Sequence, residues 1–89
     1  MTAERLGTAV VTGAANGIGH ASALRLARDG FDVAMIDRDA QGLAQAAAAV
    51  RALGRQGEIW AIDCTDESAI KRAFTDIDRV FGQIGRAHV

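Results

Sequence analysis

In this chain of 89 residues, the segment Thr12-Gly13-Ala14-Ala15-Asn16-Gly17-Ile18-Gly19 concentrates the residue types whose spacing could do chemistry. It follows a short apolar run and precedes a stretch of helical periodicity. At such a junction, glycines let the backbone turn sharply, admit a pyrophosphate, and lay the following helix close against a sheet. The first N–H groups of that helix, with its dipole, then face the phosphates. Gly13, Ala15, Asn16, Gly17, Ile18 and Gly19 are therefore candidate binding residues. A glycine-rich string by itself can be no more than a tight turn. Here a carboxylate accompanies it: Asp37 follows Gly19 by eighteen positions and ends a second apolar run. That is close to the spacing at which a dinucleotide fold places an acid on the adenosine ribose hydroxyls. Such a carboxylate accepts from the ribose diol and repels the extra phosphate of NADP. Arg38, next to it, pulls the other way, because a guanidinium pairs bidentately with phosphate; it could equally be solvated or stack on an adenine. Asp63 ends a third apolar run and extends the pattern.

These residues need strands and helices to bring them together. Thr8 to Thr12 is a compact, β-branched run and reads as a buried strand, as does Val33 to Ile36 between Asp32 and Asp37. Ile59 to Ile62 reads as a third strand. Between them, Ile18, Ala21, Leu24 and Ala27 recur at helical spacing, closed by Gly30. Leu43, Ala46, Ala47, Val50 and Leu53 do the same, with Asp39 as N-cap and Gly54 as the stop. A third helix is expected to take Thr65 as its N-cap, to bury Ile70, Ala73, Phe74, Ile77, Val80 and Phe81, and to end at Gly82. The order strand, helix, strand, helix, strand, helix predicts right-handed crossovers in a parallel sheet. The candidate residues would then share the carboxyl edge of that sheet, where ligands bind in open α/β folds.

Composition narrows the field. Ten basic and eleven acidic side chains give a formal net charge of -1, with no basic excess for nucleic acid or an anionic membrane surface. The single cysteine, Cys64, cannot form an internal disulfide, and it reads as a small buried hydrophobe with nothing nearby to lower its pKa. No apolar run approaches the roughly 20 residues that span a bilayer. A cytoplasmic protein without nucleic acid or membrane partners is expected.

The motifs resemble those of the short-chain dehydrogenases/reductases. Thr12-Gly13-x-x-x-Gly17-Ile18-Gly19 is similar to that family's cofactor motif, Leu26-Ala27-x-x-Gly30 to the end of its first helix, and Asp37-Arg38 to a common ending of its second strand. Asp63-Cys64-Thr65-Asp66 looks like its D-V-T-D segment, with cysteine in place of the usual aliphatic. The extended, epimerase-like members use a different glycine spacing. The resemblance implies a partial Rossmann fold (βαβαβα), a three-stranded parallel sheet without the fourth and later strands. It also implies a pyrophosphate along Asn16 to Gly19 and an adenine near the Asp63 carboxylate and the Cys64 N–H. NADP-binding members often carry a basic residue where this chain has Asn16, so NAD is expected in preference to NADP.

The same resemblance implies residues that this sequence lacks. The family's hydride transfer between nicotinamide and an alcohol or carbonyl substrate uses Asn, Ser, Tyr and Lys, and this sequence contains no tyrosine. The expectation is the amino-terminal, cofactor-binding part of a homo-oligomeric oxidoreductase, inactive by itself and with no catalytic residue of its own. The alternative is a stand-alone dinucleotide-binding module. The closing residues Ile84-Gly85-Arg86-Ala87-His88-Val89 match one reading frame of a widely used sequencing-library adapter, ATC-GGA-AGA-GCA-CAC-GTC. Residues 1–83 are accordingly expected to be protein of the dinucleotide-binding domain and 84–89 a non-native tail. With a fourth strand missing, Thr8 to Thr12 would be an exposed edge prone to pair with other chains, and the third helix would be loosely held.

Overall fold

A computed structural model describes residues 7–82 in full and residues 86–88 by their backbone. β1 (Thr8–Thr12), β2 (Asp32–Asp37) and β3 (Gly57–Ala61) are parallel and alternate with α1 (Gly17–Asp29), α2 (Ala40–Ala52) and α3 (Glu67–Phe81). β1 pairs with β2 from Thr8 opposite Asp32 to Thr12 opposite Ile36, and β2 pairs with β3 from Val33 opposite Gly57 to Asp37 opposite Ala61. This βαβαβα core agrees with the expectation. The strand count is corrected: a three-residue β4 (Arg86–His88) lies parallel to β1, opposite Thr8 to Val10, giving the order β3-β2-β1-β4. The start of β1 is therefore a paired, interior position, not the open edge expected. The expectation that 84–89 is a non-native tail falls on a segment that, apart from the backbone of 86–88, lies outside the described residues.

Alternation along the strands decides which helix each residue meets. Val11, Val33 and Met35 point to the face covered by α1 and α2, where they pack with Ala23, Ala27, Leu43, Ala46, Ala47 and Val50. The alanines let both helices approach the sheet closely. Val10, Ala34 and Ile36 point to the opposite face, which α3 covers with Ala73 and Ile77. There Trp60 and Phe81 stand with ring centroids 6.4 Å apart.

The helix ends follow local chemistry. Gly30, in left-handed conformation at φ 114°, closes α1 by donating back to Leu26 and Ala27. Asp39 caps α2, its carboxylate accepting from the Gly42 N–H. α3 is capped by Asp66 and not by Thr65: the Asp66 carboxylate accepts from the Ser68 and Ala69 N–H groups. Thr65 is diverted because its N–H and its hydroxyl both donate to Asp63, at 2.9 and 2.7 Å. Val80 is 47% exposed and so is not part of the buried stripe. β3 begins two residues before the expected Ile59, because pairing with β2 recruits Gly57 and Glu58, and it ends at Ala61.

Candidate functional site

The glycine turn leaves β1 at its carboxyl end and enters α1. Gly13 and Gly17 take φ +67° and +57°, conformations that L side chains rarely adopt, and a Cβ at either would meet nothing within 4 Å. Their backbone therefore faces open space. Gly19 has a different reason to be glycine: a Cβ there would stand 1.9 Å from the Gly13 carbonyl oxygen. Its missing side chain is what lets the first turn of α1 rest against the end of β1. Ala15 is buried and Ile18 is 87% exposed beside the turn.

Asn16 is the N-cap of α1, extended at φ -144°, yet its side chain makes no capping bond. Instead its Nδ2 donates to Asp39 Oδ2 at 3.5 Å. The amino end of α1 is thus left without a side-chain cap, and an α-helix offers N–H groups there that have no partner within the helix.

Asp37, at the end of β2, reaches back to the turn. Its Oδ2 accepts from the Ala15 N–H at 3.1 Å, and its Oδ1 accepts from the Asp39 N–H at 3.1 Å. The carboxylate is half-buried and fixed by two backbone donors. Each of its oxygens has a second lone pair for a further donor. Arg38, exposed, places its guanidinium 3.1 Å from Asp63 Oδ2, across the ends of β2 and β3. These ends are also tied by the Ile62 N–H donating to the Asp37 carbonyl at 2.9 Å. Hydrogen bonds from the Thr65 N–H and hydroxyl, with a smaller contribution from Arg38, hold the Asp63 carboxyl below its ordinary value of 3.8.

Cys64 is exposed, which corrects the expectation of a buried side chain. It stands in the loop between β3 and α3, outside the strand pairing that ends at Ala61. Partial desolvation, then the charges of Asp37 and Asp63, push its thiol above the usual 9.0, with Arg38 opposing. A raised thiol is a poor nucleophile at neutral pH. Among the described residues no group of three or more His, Cys, Asp or Glu could hold a metal ion, and no helix is long and apolar enough to cross a membrane.

Every residue singled out from the sequence therefore lies along the carboxyl edge of β1, β2 and β3. Three further residues organise that edge. Asp39 links Asn16 to the start of α2, and its carboxyl is held low first by the Gly42 N–H and then by the Asn16 amide. Gly42 passes so close to the turn that a Cβ there would stand 2.7 Å from that of Ala15. Thr65 orients Asp63. The signal for Gly42 was present as a glycine in the first turn of a helix, where alanine would otherwise be favoured. Asp39 was legible only as a cap, because its bond to Asn16 spans twenty-three residues.

A parallel sheet ordered β3-β2-β1-β4, with helices on both faces and a glycine turn after β1, defines a Rossmann-type α/β domain. The profile of the short chain dehydrogenases matches residues 7–86, and the chain belongs to that family. It is 43% identical over 76 residues to a short-chain dehydrogenase/reductase of Armillaria gallica, an alignment covering 83% of this chain and 29% of the relative. Among solved structures, NAD+-bound xylitol dehydrogenase superposes with a TM-score of 0.87 at 35% identity, covering 93% of this chain and 32% of that one. L-sorbose reductase from Gluconobacter frateurii, complexed with NADPH and L-sorbose, superposes with a TM-score of 0.81 at 26% identity, covering 92% and 32%. The chain thus spans about three tenths of the length of these relatives.

Proposed function

We propose that this chain is the dinucleotide-binding portion of a nicotinamide-dependent oxidoreductase and binds NAD in preference to NADP. The observation that carries the reading is the uncapped amino end of α1, with the open backbone of Gly13 and Gly17 beside it and the fixed Asp37 carboxylate across from it. Gly13, Ala15, Asn16, Gly17, Ile18 and Gly19 would hold the pyrophosphate, with backbone N–H groups as donors. Asp37 would accept from the ribose hydroxyls through its remaining lone pairs. Asp63 and the Cys64 N–H would border the adenine, with Arg38 alongside. When bound, the dinucleotide supplies a nicotinamide that accepts or gives up a hydride.

Preference for NAD follows from charge. A 2′-phosphate would approach Asp37, a carboxylate that repels it, while Arg38, the nearest cation to that carboxylate in sequence, is engaged by Asp63. In the complete enzyme the substrate would be a small alcohol or carbonyl compound, the class named for xylitol dehydrogenase and L-sorbose reductase, and the assembly a cytoplasmic homo-oligomer. The 89-residue chain contains no tyrosine to serve as proton carrier, and we assign it binding without turnover. Residues 1–83 would be the functional part; the adapter match makes 84–89 a candidate non-native tail, against which stand the pairing of Arg86–His88 with β1 and the family match reaching residue 86, and sequencing the coding DNA in independent clones tests that division.

Titration of the chain with NADH, followed by nucleotide fluorescence, tests the central reading. Binding is expected, and it should be lost in Gly17→Asp, where a carboxylate would occupy the open space at the amino end of α1. It should weaken in Asp37→Ala. If neither substitution lowers NADH affinity, the site is misassigned.

A further inference from the structure

Asp63 has its two carboxylate oxygens divided between two tasks. Oδ1 takes the Thr65 N–H and hydroxyl, at 2.9 and 2.7 Å, and Oδ2 takes the Arg38 guanidinium at 3.1 Å. Thr65 thereby orients the carboxylate and keeps it ionised, and the oriented carboxylate presents one oxygen to the end of β2. Arg38 is 74% exposed in its side chain and immediately follows Asp37. That ion pair is the interaction seen for its guanidinium, and it ties the guanidinium to the end of β3. A free guanidinium at this place would be the natural partner of a 2′-phosphate, since it can meet phosphate with two parallel N–H donors.

From this geometry we infer that Asp63 is a positioning residue for cofactor choice: by holding Arg38 across the β2 and β3 ends, it withholds the cation that would otherwise accept the 2′-phosphate of NADP. This deepens the proposed function and rests on it. Discrimination against NADP is then built from two carboxylates with separate jobs. Asp37 repels the phosphate directly, and Asp63 occupies its would-be partner. The ion pair is exposed, so its effect is modest. Pairs of this kind are worth about two- to fivefold in an equilibrium.

The test is the ratio of NADPH to NADH affinity, measured by fluorescence titration of the 89-residue chain. Both nucleotides carry the same adenine, so any direct contact of Asp63 with the ring cancels in the ratio. Asp63→Asn is expected to raise the ratio about two- to fivefold, and Asp63→Glu, which can still engage Arg38, is expected to stay near the unaltered chain. Removing a negative charge could by itself favour a phosphate, so the same substitution is made in an Arg38→Ala background. There the ratio should be insensitive to Asp63→Asn. An equal rise with and without Arg38 would overturn the inference, as would an unchanged ratio in Asp63→Asn. Failure of the unaltered chain to bind NADH would remove the proposed function and this inference together, whereas NADH binding with an unmoved ratio removes the inference alone.

Discussion

Gly19→Ala is the sharpest perturbation of the site, because two effects of known size oppose each other there. Alanine is the better helix former, and inside α1 it would add up to about 1 kcal/mol of helix stability. Against this, the new Cβ would lie 1.9 Å from the Gly13 carbonyl oxygen, 2.5 Å from its carbon and 3.1 Å from the Ala14 nitrogen. These are backbone atoms of the turn that follows β1, so no side-chain rotation relieves the clash. Restoring even the 3.0 Å below which such contacts are essentially never seen needs an opening of about 1.1 Å between α1 and the turn before it. Overpacking of a well-packed site costs about 1–3 kcal/mol, and more where backbone must move. We therefore expect a net loss of about 2 kcal/mol, a large share of the stability of so small a domain. Urea unfolding followed by Trp60 fluorescence measures it. Gly42→Ala and Gly57→Ala meet progressively softer contacts. At Gly42 the nearest contacts are the Ala15 Cβ at 2.7 Å and an Asp39 oxygen at 2.8 Å; at Gly57 they are the side chains of Val50 and Met35, at 3.0 to 3.2 Å. Destabilisation should fall in the order Gly19, Gly42, Gly57. A Gly19→Ala variant as stable as the unaltered chain would show that propensity outweighs the contact, and the account of why this residue is glycine would be wrong.

The remaining predictions concern ionisation. Asp39 and Asp63 have folded-state pKa values lowered from 3.8 by the hydrogen bonds they accept. A depressed carboxyl pKa stabilises the fold above the unfolded value and loses that contribution as pH falls through the folded value. The urea midpoint should therefore drop on acidification below about pH 4, and the drop should be smaller in an Asp39→Asn, Asp63→Asn double variant; an equal acid slope in both proteins would refute the assignment. Cys64, exposed but with its thiol pushed above 9.0, should react with iodoacetamide more slowly at neutral pH than a free cysteine. Because Asp37 and Asp63 raise the pKa and Arg38 lowers it, Asp63→Asn should speed alkylation and Arg38→Ala should slow it.

How much of this was legible in the sequence depends on the range over which each feature is determined. The bounds of β1, α1 and α2 follow from local periodicity and from caps within a few residues, but the buried stripes are narrower than the spacing predicts: Ile18 and Ala21 of α1 and Leu53 at the end of α2 are exposed, and α1 buries Ala23 with Ala27. The third cap is not decided locally: Thr65 and Asp66 are both good N-cap residues, and the choice between them is made by Asp63, which takes both Thr65 donors. β3 starts earlier than its local pattern predicts for a related reason: Gly57 and Glu58 have little strand preference of their own and enter the sheet because Val33 and Ala34 of β2 lie opposite. β4 could not be anticipated from its three residues, since so short a strand is defined by pairing with β1. The site shows the same division. Its residue types and strand-end positions were readable from spacing, and that was sufficient to name Asp37, Arg38 and Asp63 as candidates. What spacing does not carry is which partner each charge chooses. Arg38 beside Asp37 looks like a phosphate ligand until the fold brings Asp63 to 3.1 Å from it. Cofactor preference is therefore better argued from the pairing of charges at the sheet edge than from the identity of any one residue in the motif.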